Sequence, residues 1–449
     1  MSSIKNSIKN QALKGTLWTL LGYGGSQVLR LGGNLILTRL LVPELFGLMA
    51  LVQTFITGLT LFSDIGIRPS IIRSSRWQEE QFLNTAWTMQ VLRGSWIWLG
   101  CLIVALPASR FYDEPKLLWL LPLVALGAWI NGFASTSLAT LNRKLEIDKI
   151  TKLEFITQTI SLTVMVAWAS ILPSIWALVI GNLVAASVKT LWSHRLEAGH
   201  NRFTWDKSAV KEIMTFGSWV FVSTVMLFLA SQSDRLVLGK LFPLELLGVY
   251  TVAYTLSDLP RQIVVRVSSQ VMFPVMSKYA HIDRQEFRAR ILKKRWLILI
   301  GLAFLVTGLA ASGDIVINIL YSEEYSSASW MLPVLAVGLW PLLLSYTINK
   351  ALFAIDKPFY LAIGNFLKFI YMVTLTPFVF AKTGVLGAVT VVAFNDILPY
   401  SVVAFGLVRE GLSTLWQDFT ATGLLLVLLA TVLFARYTLG YGFPVSNIL

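Results

Sequence analysis

The chain has 449 residues, of which 55% are hydrophobic and 14% are charged; its mean hydropathy is +0.68 and its formal net charge is +13. Soluble domains carry about 25% charged residues, so this composition excludes a sizeable soluble domain. Apolar runs of about 20 residues recur from end to end and predict a polytopic membrane protein built from helices. The positive charge then reflects basic loops on one side of the membrane rather than binding to nucleic acid.

The apolar runs predict about thirteen membrane helices. Their approximate limits are residues 15–40, 45–66, 84–107, 117–140, 153–171, 174–193, 213–239, 246–272, 296–320, 330–354, 358–380, 384–408 and 415–436. The polar N-terminus carries Lys5, Lys9 and Lys14 without the short apolar core and cleavage site of a signal peptide, so we expect an uncleaved cytoplasmic start. Cys101 is the single cysteine, and its apolar surroundings indicate a packing role.

The distribution of basic residues predicts the orientation of these helices. With the N-terminus in the cytoplasm, the N-terminus and the inner loops hold 23 of the 37 Lys and Arg residues, whereas the outer loops and tail hold 6. Basic residues collect on the cytoplasmic side, so this split supports the orientation and the number of crossings. Outer loops such as LVPE at 41–44 are too short to form an extracellular catalytic domain.

The inner segment HIDRQEFRARILKKRW at 281–296 allows two interpretations. Phe287 and Ile291 share one helical face, and arginines and lysines surround them. The segment is therefore either an ordinary basic inner loop or an amphipathic helix that lies on anionic lipid.

A short repeat divides the chain into two halves. RLLVPELFG at 39–47 aligns with KLFPLELLG at 240–248, an offset of 201 residues, and both lie at an outer hairpin. Because each half has six helices, the halves insert the same way up. We predict an all-α polytopic fold with two parallel-repeat six-helix lobes and at least one extra C-terminal helix. The predicted boundaries are 1–193 for the N-terminal lobe, 194–212 for a cytoplasmic linker, 213–408 for the C-terminal lobe and 409–449 for the extra helix and tail.

Motifs of soluble enzymes are missing from the sequence. It contains no GxxxxGK[ST] phosphate-binding loop and no HExxH or CxxC metal pattern, and its three histidines, His194, His200 and His281, lie in predicted inner loops. We therefore predict no metal, no cofactor and no hydrolysis of ATP. Any transport must use an ion or substrate gradient, or be passive.

Charged residues inside the predicted helices are the candidates for function, because they are costly in a bilayer. The deep ones are Arg30, Arg261, Lys368 and Asp396; those nearer helix ends are Asp64, Arg93, Lys189, Asp234, Arg235, Asp258, Arg266 and Lys350. One interpretation is structural pairing, of Asp258 with Arg261 and of Lys368 with Asp396. The other is a water-filled cavity of positive potential, because deep cations outnumber deep anions, and such a cavity favours an anionic substrate such as phosphate.

Glycine and proline predict flexible or closely packed helices. The first helix contains Gly22, Gly24, Gly25, Gly32 and Gly33, which also suit close helix packing. Later helices contain Pro260, Pro333, Pro341, Pro377 and Pro399, each able to kink its helix. Kinked helices in two repeated halves suit a rocking motion between inward-open and outward-open states.

The segments LTRLLVPELFGLMALVQTF, FSDIGIRPSIIR and SQSDRLVLGKLFPLELLGVYTVAYTLSDLP resemble bacterial polysaccharide biosynthesis proteins of the oligosaccharide flippase type, within the multidrug/oligosaccharidyl-lipid/polysaccharide exporter superfamily. The resemblance implies two lobes around a central cleft in the bacterial cytoplasmic (inner) membrane. It implies transport of polyprenyl-diphosphate-linked sugars to the outer leaflet, without a cofactor and beside a polysaccharide polymerase and other assembly proteins. The odd number of predicted helices departs from the twelve or fourteen common in the family.

Under this hypothesis the charged residues take three roles. Arg30, Arg261 and Lys368 bind the diphosphate; Arg93, Arg235, Arg266 and Lys350 are secondary contacts or gates; Asp64, Asp234, Asp258 and Asp396 balance charge or couple a proton or sodium ion. The alternatives are a cation-coupled multidrug exporter of the same superfamily and a membrane enzyme such as a polysaccharide polymerase or ligase. The surplus of deep basic residues disfavours the exporter, and the short outer loops disfavour the enzyme.

Overall fold

The computed structural model describes residues 22, 24–196, 201–272, 276, 283–355 and 357–445. Within these residues all regular structure is helical, as the sequence predicts. The chain divides into two compact units, Met1–Val225 and Met226–Leu449. The basic N-terminus, the start of the first predicted helix, His200 and His281 lie outside the described residues.

The first unit contains eight helices and the start of a ninth. They are α1 (24–40), α2 (Pro43–Phe62), α3 (Ile67–Arg73), α4 (Glu80–Tyr112), α5 (Leu117–Gly132), α6 (Ser137–Arg143), α7 (Ile147–Ile171), α8 (Ile175–Ser193) and α9 (Lys207–Leu241). Backbones of α4 and α5 approach closely, because a Cβ added at Gly94 would lie 3.1 Å from the Gly132 Cα. Small residues at this crossing allow two long apolar helices to pack.

Besides a π-helix at Ser268–Met272 and a 3₁₀-helix at Glu323–Tyr325, the described part of the second unit contains the end of α9 and nine further α-helices. They are α10 (Leu244–Ser257), α11 (Leu259–Val267), α12 (Arg284–Leu320), α13 (Ala328–Gly338), α14 (Trp340–Tyr346), α15 (Asn349–Ala354), α16 (Phe359–Ala393), α17 (Ile397–Arg409) and α18 (Leu415–Thr438). Within α16 the helix breaks at Gly384, where φ is +67° and ψ is −148°. This break lies at the boundary predicted between the eleventh and twelfth helices.

The chain is a multi-pass membrane protein. Each of the thirteen predicted helices overlaps one or more observed helices. In the described part of the chain, eight helical stretches are long and apolar enough to cross a membrane, or nine if α5 and α6, bent by 59°, count as one. Thirteen crossings therefore remain a prediction. Pro260, Pro341 and Pro399 lie within the first three residues of their helices, whereas Pro333 and Pro377 lie inside α13 and α16.

The two repeated hairpins have the same backbone. The Leu41 amide donates to the Leu37 carbonyl at 2.9 Å, and 201 residues later the Phe242 amide donates to the Leu238 carbonyl at 2.7 Å. The next residue of each turn is extended, with φ/ψ of −68°/151° at Val42 and −56°/148° at Pro243. The predicted alignment at an offset of 201 residues is therefore confirmed at these two turns.

Residues 201–206 form an extended strap along α4. Backbone amides of Arg202 and Thr204 donate to the Asn84 Oδ1 and the Thr88 Oγ1 at 3.1 and 3.0 Å. The Asp206 amide donates to the Thr85 Oγ1 at 3.1 Å. Hydrogen bonds from Ser208 and from the Arg76 guanidinium lower the pKa of the half-buried Asp206 carboxyl to about 2. This part of the predicted linker is thus fixed to the first unit.

Of the two interpretations of residues 281–296, the helix is confirmed from Arg284 onward, whereas the loop and the placement on lipid are wrong. From Arg284 onward the segment is the beginning of the 37-residue helix α12, rather than a loop. Phe287 and Ile291 are buried in a protein core with Met272, Ile348 and Leu407, so their face is covered by protein and does not lie on lipid. The sequence predicts Arg295 in a cytoplasmic loop, but this residue is fully buried on the same helix.

Candidate functional site

A polar cavity of about 670 Å³ lies inside the first unit. Its walls come from α2, α4, α5 and α8, together with the short helices α3 and α6. The charged residues of the lining are Asp64, Arg68, Arg93 and Lys189, and its amides are Gln53, Gln90, Asn131 and Asn182. Three cations and one acid give the lining a net positive charge. Ionisable side chains within membrane helices mark candidate functional sites.

The turn between α2 and α3 places Asp64 and Arg93 together. Gly66 adopts φ +63°, a left-handed conformation that glycine tolerates, and its amide donates to the Asp64 Oδ1 at 3.1 Å. The Arg93 Nη2 lies 3.7 Å from the same oxygen and donates to the Thr60 carbonyl at 2.7 Å, near the end of α2. Arg93 therefore stabilises the last turn of α2 while it faces the cavity.

Arg68 and Lys189 enter the same cavity from α3 and α8. Arg68 is exposed and Lys189 is half-buried. Neither side chain makes a hydrogen bond or salt bridge with another residue of the described ranges. The sequence places Lys189 near the membrane surface and gives Arg68 no role, because nothing along the chain shows that α3 and α8 line the same cavity.

Three lining amides use their N–H groups on backbone carbonyls. Asn131 donates to Gly127 at 2.8 Å, Asn182 donates to Leu178 at 2.9 Å, and Gln90 donates to Gly132 and Ala134 at 3.0 and 2.8 Å. These bonds fix the amide planes on α4, α5 and α8. Their side-chain oxygens are then acceptors in the cavity wall.

Arg30 is exposed on α1 and does not line this cavity. Helix α1 packs on α7, where Gln158 donates to the Ser26 carbonyl at 3.0 Å and a Cβ at Gly33 would meet the Leu162 side chain. No hydrogen bond or salt bridge joins Arg30 to another residue in the described ranges. Its guanidinium therefore remains available to a ligand.

The other two predicted diphosphate contacts form ion pairs in the second unit. The Arg261 Nη2 donates to the Asp258 Oδ2 at 2.6 Å, and a second contact joins Arg261 Nε to Asp258 Oδ1. The Lys368 Nζ lies 2.7 Å from the Asp396 Oδ1, with about 13% of the lysine side chain exposed. Both pairings match the structural alternative from the sequence.

The remaining predicted residues of the second unit are dispersed. Asp234 is buried and accepts from the Tyr250 hydroxyl at 2.7 Å. Arg235 donates to Gln232 at 3.3 Å, and its guanidinium carbon lies 5.8 Å from the centre of the Tyr254 ring. The Lys350 ammonium lies 4.9 Å from the Phe353 ring, and Arg266 lies in the last turn of α11.

Two buried ion pairs of the second unit were missed from the sequence. Arg295 pairs with Asp418 and donates to the Thr347 hydroxyl at 2.8 Å and the Leu344 carbonyl at 3.0 Å. Arg436, predicted in the outer tail, belongs to α18, and its Nη1 lies 2.7 Å from the Asp314 Oδ1. A signal for Arg295 existed, since it continues the stripe of Phe287 and Ile291 at a spacing of four residues.

Metal coordination has no support in the described ranges, where no group of three His, Cys, Asp or Glu side chains is placed to hold an ion. Cys101 is buried in α4, in keeping with the packing role expected of it.

Comparisons with known proteins give consistent matches. The family described as "Polysaccharide biosynthesis protein" matches residues 36–330. The teichuronic acid biosynthesis protein TuaB of Bacillus subtilis is 22% identical over 61% of this chain and 57% of its own length. The succinoglycan biosynthesis transport protein ExoT of Rhizobium meliloti is 22% identical over 72% of this chain and 65% of its own length. The chain thus spans less than two thirds of either relative.

Longer matches occur as well. The lipopolysaccharide biosynthesis protein WzxC of Escherichia coli K12 is 22% identical over 92% of this chain and 86% of its length. Among solved structures, the lipid II flippase MurJ in an inward closed conformation has a TM-score of 0.69 and 16% identity, covering 93% of both chains. An inward-facing multidrug transporter of the MATE family has a TM-score of 0.64 and 13% identity, covering 89% and 95%. The fold is therefore that of the MurJ and MATE transporters.

Proposed function

The chain belongs to the polysaccharide biosynthesis protein family, and from this premise we propose that it moves a lipid-linked oligosaccharide from the inner to the outer leaflet of a bacterial cytoplasmic membrane. The observation that carries the proposal is the polar, net positive cavity enclosed by apolar helices of the first unit. The polar groups of such a cavity replace the hydrogen bonds to water that sugars and phosphates lose inside a bilayer. The names of two relatives, ExoT as a transport protein and WzxC as a lipopolysaccharide biosynthesis protein, agree with this role.

Arg30, Arg261 and Lys368 are the proposed contacts of the diphosphate. Arg30 is exposed and available, whereas Arg261 and Lys368 are held by Asp258 and Asp396. A diphosphate therefore has to displace these carboxylates, which makes both ion pairs points where substrate binding changes the structure. Arg guanidinium groups suit this exchange, because they bind carboxylate and phosphate oxygens with the same geometry.

The other predicted residues take supporting roles in this proposal. Arg93, Arg235, Arg266 and Lys350 act as secondary contacts or gates. Asp64, Asp234, Asp258 and Asp396 balance the charge or couple a proton or sodium ion. A rocking motion of the lobes 1–193 and 213–408, joined by 194–212 and followed by the extra segment 409–449, then alternates access to the two sides.

The basic residues support a cytoplasmic N-terminus. Once the buried Arg295 and Arg436 are left out of the 23 and 6 counted from the sequence, 22 lie on the proposed inner side and 5 on the outer side. In that orientation α2 and α8 end, and α4 begins, at the cytoplasmic face. The cavity lies between these parts of the helices and so opens toward the side where lipid-linked glycans are made. A polysaccharide polymerase and other assembly proteins are the expected partners on the outer side.

A multidrug exporter is the second candidate, and the similarity to a MATE transporter is the observation that favours it. Cationic drugs require an acid-rich site. The first-unit cavity has one acid against three cations, so its charge favours an anionic substrate.

The direct test uses the purified protein in vesicles that contain an undecaprenyl-diphosphate-linked oligosaccharide. A membrane-impermeant glycosidase reports which glycans have changed leaflet. We expect the double variant Arg30→Ala and Arg261→Ala to slow flipping by at least about 100-fold, because two charged hydrogen bonds of about 1.5–3 kcal/mol each are lost. The matched control replaces the exposed Arg195 and Arg284 by Ala and should flip normally.

One outcome would contradict the proposed function, and another would contradict only the proposed cation site. Wild-type protein that moves no glycan refutes the flippase function. Normal flipping by a correctly inserted double variant refutes the cation site and leaves the function standing.

A further inference from the structure

One face of α4 carries a stripe of exposed apolar side chains. Leu92, Trp96, Leu99, Ile103 and Leu106 follow one another at spacings of four or three residues, so they share one side of the helix, and all five are exposed. A membrane helix with an exposed apolar face presents that face to lipid. This stripe therefore faces the hydrocarbon of the bilayer.

The same face of α4 becomes polar toward the beginning of the helix, where the strap of residues 201–206 covers it. At the same spacing the stripe continues to Thr88, Thr85 and Asn84, which are buried. The hydroxyls of Thr88 and Thr85 donate to carbonyls one turn earlier, at 2.9 and 2.8 Å, and accept from amides of the strap. The strap therefore lies where lipid would otherwise contact α4, and it satisfies the polar side chains there.

Two aromatic side chains of the strap remain exposed. The exposed fraction is 67% for Phe203 and 55% for Trp205, although the Thr204 amide fixes the backbone between them. The Phe203 ring contacts the Trp87 ring of α4, with 4.9 Å between ring centres. The Trp205 indole has no hydrogen-bond or ring partner in the described part of the chain. At a membrane surface such an indole keeps its N–H group in water and its ring in lipid.

The strap lies at a level of α4 that corresponds to the surface of the hydrocarbon. From Thr88 to the exposed Arg110, near the other end of α4, the helix rises about 33 Å at about 1.5 Å per residue. The hydrocarbon core of a bilayer is about 30 Å thick. With Arg110 among the headgroups of one leaflet, Thr88 and the strap lie among those of the other, where aromatic residues are enriched.

From this placement we propose that the strap is a membrane anchor, with the rings of Phe203 and Trp205 inserted among the lipids at the surface where α4 begins. The partner is the lipid bilayer, because the two rings continue the lipid-facing stripe of α4. In the orientation proposed above, that surface is the cytoplasmic leaflet, and only this assignment rests on the proposed function. The segment that leads into α9 is thereby held by α4 on one side and by lipid on the other.

Spin labels measure the depth of the two side chains in the full chain, reconstituted in vesicles of phosphatidylethanolamine and phosphatidylglycerol. Phe203→Cys and Trp205→Cys are labelled separately in a Cys101→Ala background. Oxygen concentrates in lipid and a nickel chelate stays in water, so the ratio of their collision rates with the label reports depth. Ile103→Cys on the stripe gives the value for lipid, and Arg284→Cys, exposed at the start of α12, gives the value for water.

The ratio at positions 203 and 205 should exceed the water value by at least about tenfold, because apolar surroundings exclude the polar chelate. A ratio equal to the water value would overturn the proposal. Low collision rates with both reagents would also overturn it, since they would show that protein covers the strap, either a second copy or another part of this chain. Transport is not involved in this measurement, so its failure and the failure of the proposed function are distinguishable.

Hydrogen exchange of the strap amides measures what the contact with lipid contributes. Trp205→Ser removes the ring that has no partner in the described ranges. In lipid nanodiscs this change should speed exchange of the strap amides by at least about tenfold, because the buried apolar area is lost. The matched variant Trp205→Phe keeps an apolar ring and should exchange like the wild type. Unchanged exchange in Trp205→Ser would contradict the anchor.

Discussion

At positions that the repeat makes equivalent, the first unit has neutral polar side chains and the second unit has aromatic and charged side chains. In the first unit, three neutral polar side chains of α2 line the open cavity. At an offset of 201 residues, the same positions in α10 and α11 hold an aromatic ring, an acid and a base. The residues are Gln53, Thr57 and Thr60 in the first unit and Tyr254, Asp258 and Arg261 in the second.

This difference arises in side chains and not in the backbone. The hairpins before these helices share the hydrogen bonds at Leu41 and Phe242. In the second unit Arg261, Arg295, Lys368 and Arg436 each contact a carboxylate. Among the described cations that line the first-unit cavity, Arg93 alone lies within 4 Å of a carboxylate, that of Asp64. Two units with similar hairpins can therefore differ in their side chains. One unit lines an open cavity, and the other pairs its cations with carboxylates.

Removing a buried partner in the second unit should have the largest effect. Arg295→Ala leaves the Asp418 carboxylate buried without its counter-charge, which costs about 3–5 kcal/mol. Thermal unfolding in detergent measures the loss. The control Arg290→Ala breaks an exposed pair with Glu286 on the same helix and should cost less than about 1 kcal/mol. Equal losses would show that burial does not distinguish the two pairs.

Glycine substitutions compare the packing of the two units. A Cβ at Gly338 would lie 2.4 Å from the Ala393 carbonyl oxygen, so Gly338→Ala should destabilise the protein by about 1–3 kcal/mol. Gly94→Ala should cost less, because its Cβ would lie 3.1 Å from its nearest neighbours. The control Gly301→Ala meets no atom within 4 Å and should be neutral or stabilising. The same melting experiment ranks the three, and a reversed order would contradict the packing shown here.

Thiol labelling compares the electrostatic potential at equivalent positions. In a Cys101→Ala background, Gln53→Cys should react about tenfold faster with an anionic than with a cationic methanethiosulfonate, because the cavity concentrates anions. Tyr254→Cys, at the equivalent position of the second unit, should show no such preference. The neighbouring control Thr54→Cys is fully buried and should react slowly with both reagents. A cationic preference at position 53 would contradict a positive cavity.

The smallest effect is expected for a change of pH, measured as amide exchange in the strap of residues 201–206. Hydrogen bonds from Ser208 and Arg76 lower the Asp206 pKa from 3.8 to about 2. A lowered pKa means that this carboxylate stabilises the folded state above about pH 4 and that the contribution is lost only as the pH falls through about 2. Exchange of the amide hydrogens of 202, 204 and 206, corrected for intrinsic rate, should therefore be unchanged between pH 8 and 5. Asp206→Asn should speed it at both pH values.

Much of the fold follows from local patterns in the sequence. Apolar runs locate the helices, and the hairpin match gives the offset of 201 residues. Spacing alone pairs Asp258 with Arg261, because residues three apart share a helix face. Lys368 and Asp396 could be paired because they lie on neighbouring predicted helices.

Contacts between distant segments were not accessible from these patterns. Arg295 and Asp418 are 123 residues apart, and a basic cluster before an apolar run resembles an ordinary cytoplasmic loop. Arg68 and Lys189 line one cavity only because α3 and α8 both contribute to its wall. Charge counting predicted a positive cavity around other cations, whereas the packing of six helices places Arg68, Arg93 and Lys189 in the lining of this one.

The hydrogen bonds between the strap and α4 constrain the sequence of α4 more than the sequence of the strap. Arg202 and Thr204 are held through their backbone amides, and every residue except proline supplies that donor. The acceptors are the specific side chains of Asn84 and Thr88 on α4. Substitutions should therefore be tolerated at Arg202 and Thr204 and restricted at Asn84 and Thr88. Homologous chains should vary at these two positions of the strap and retain the side chains of α4 that accept its hydrogen bonds.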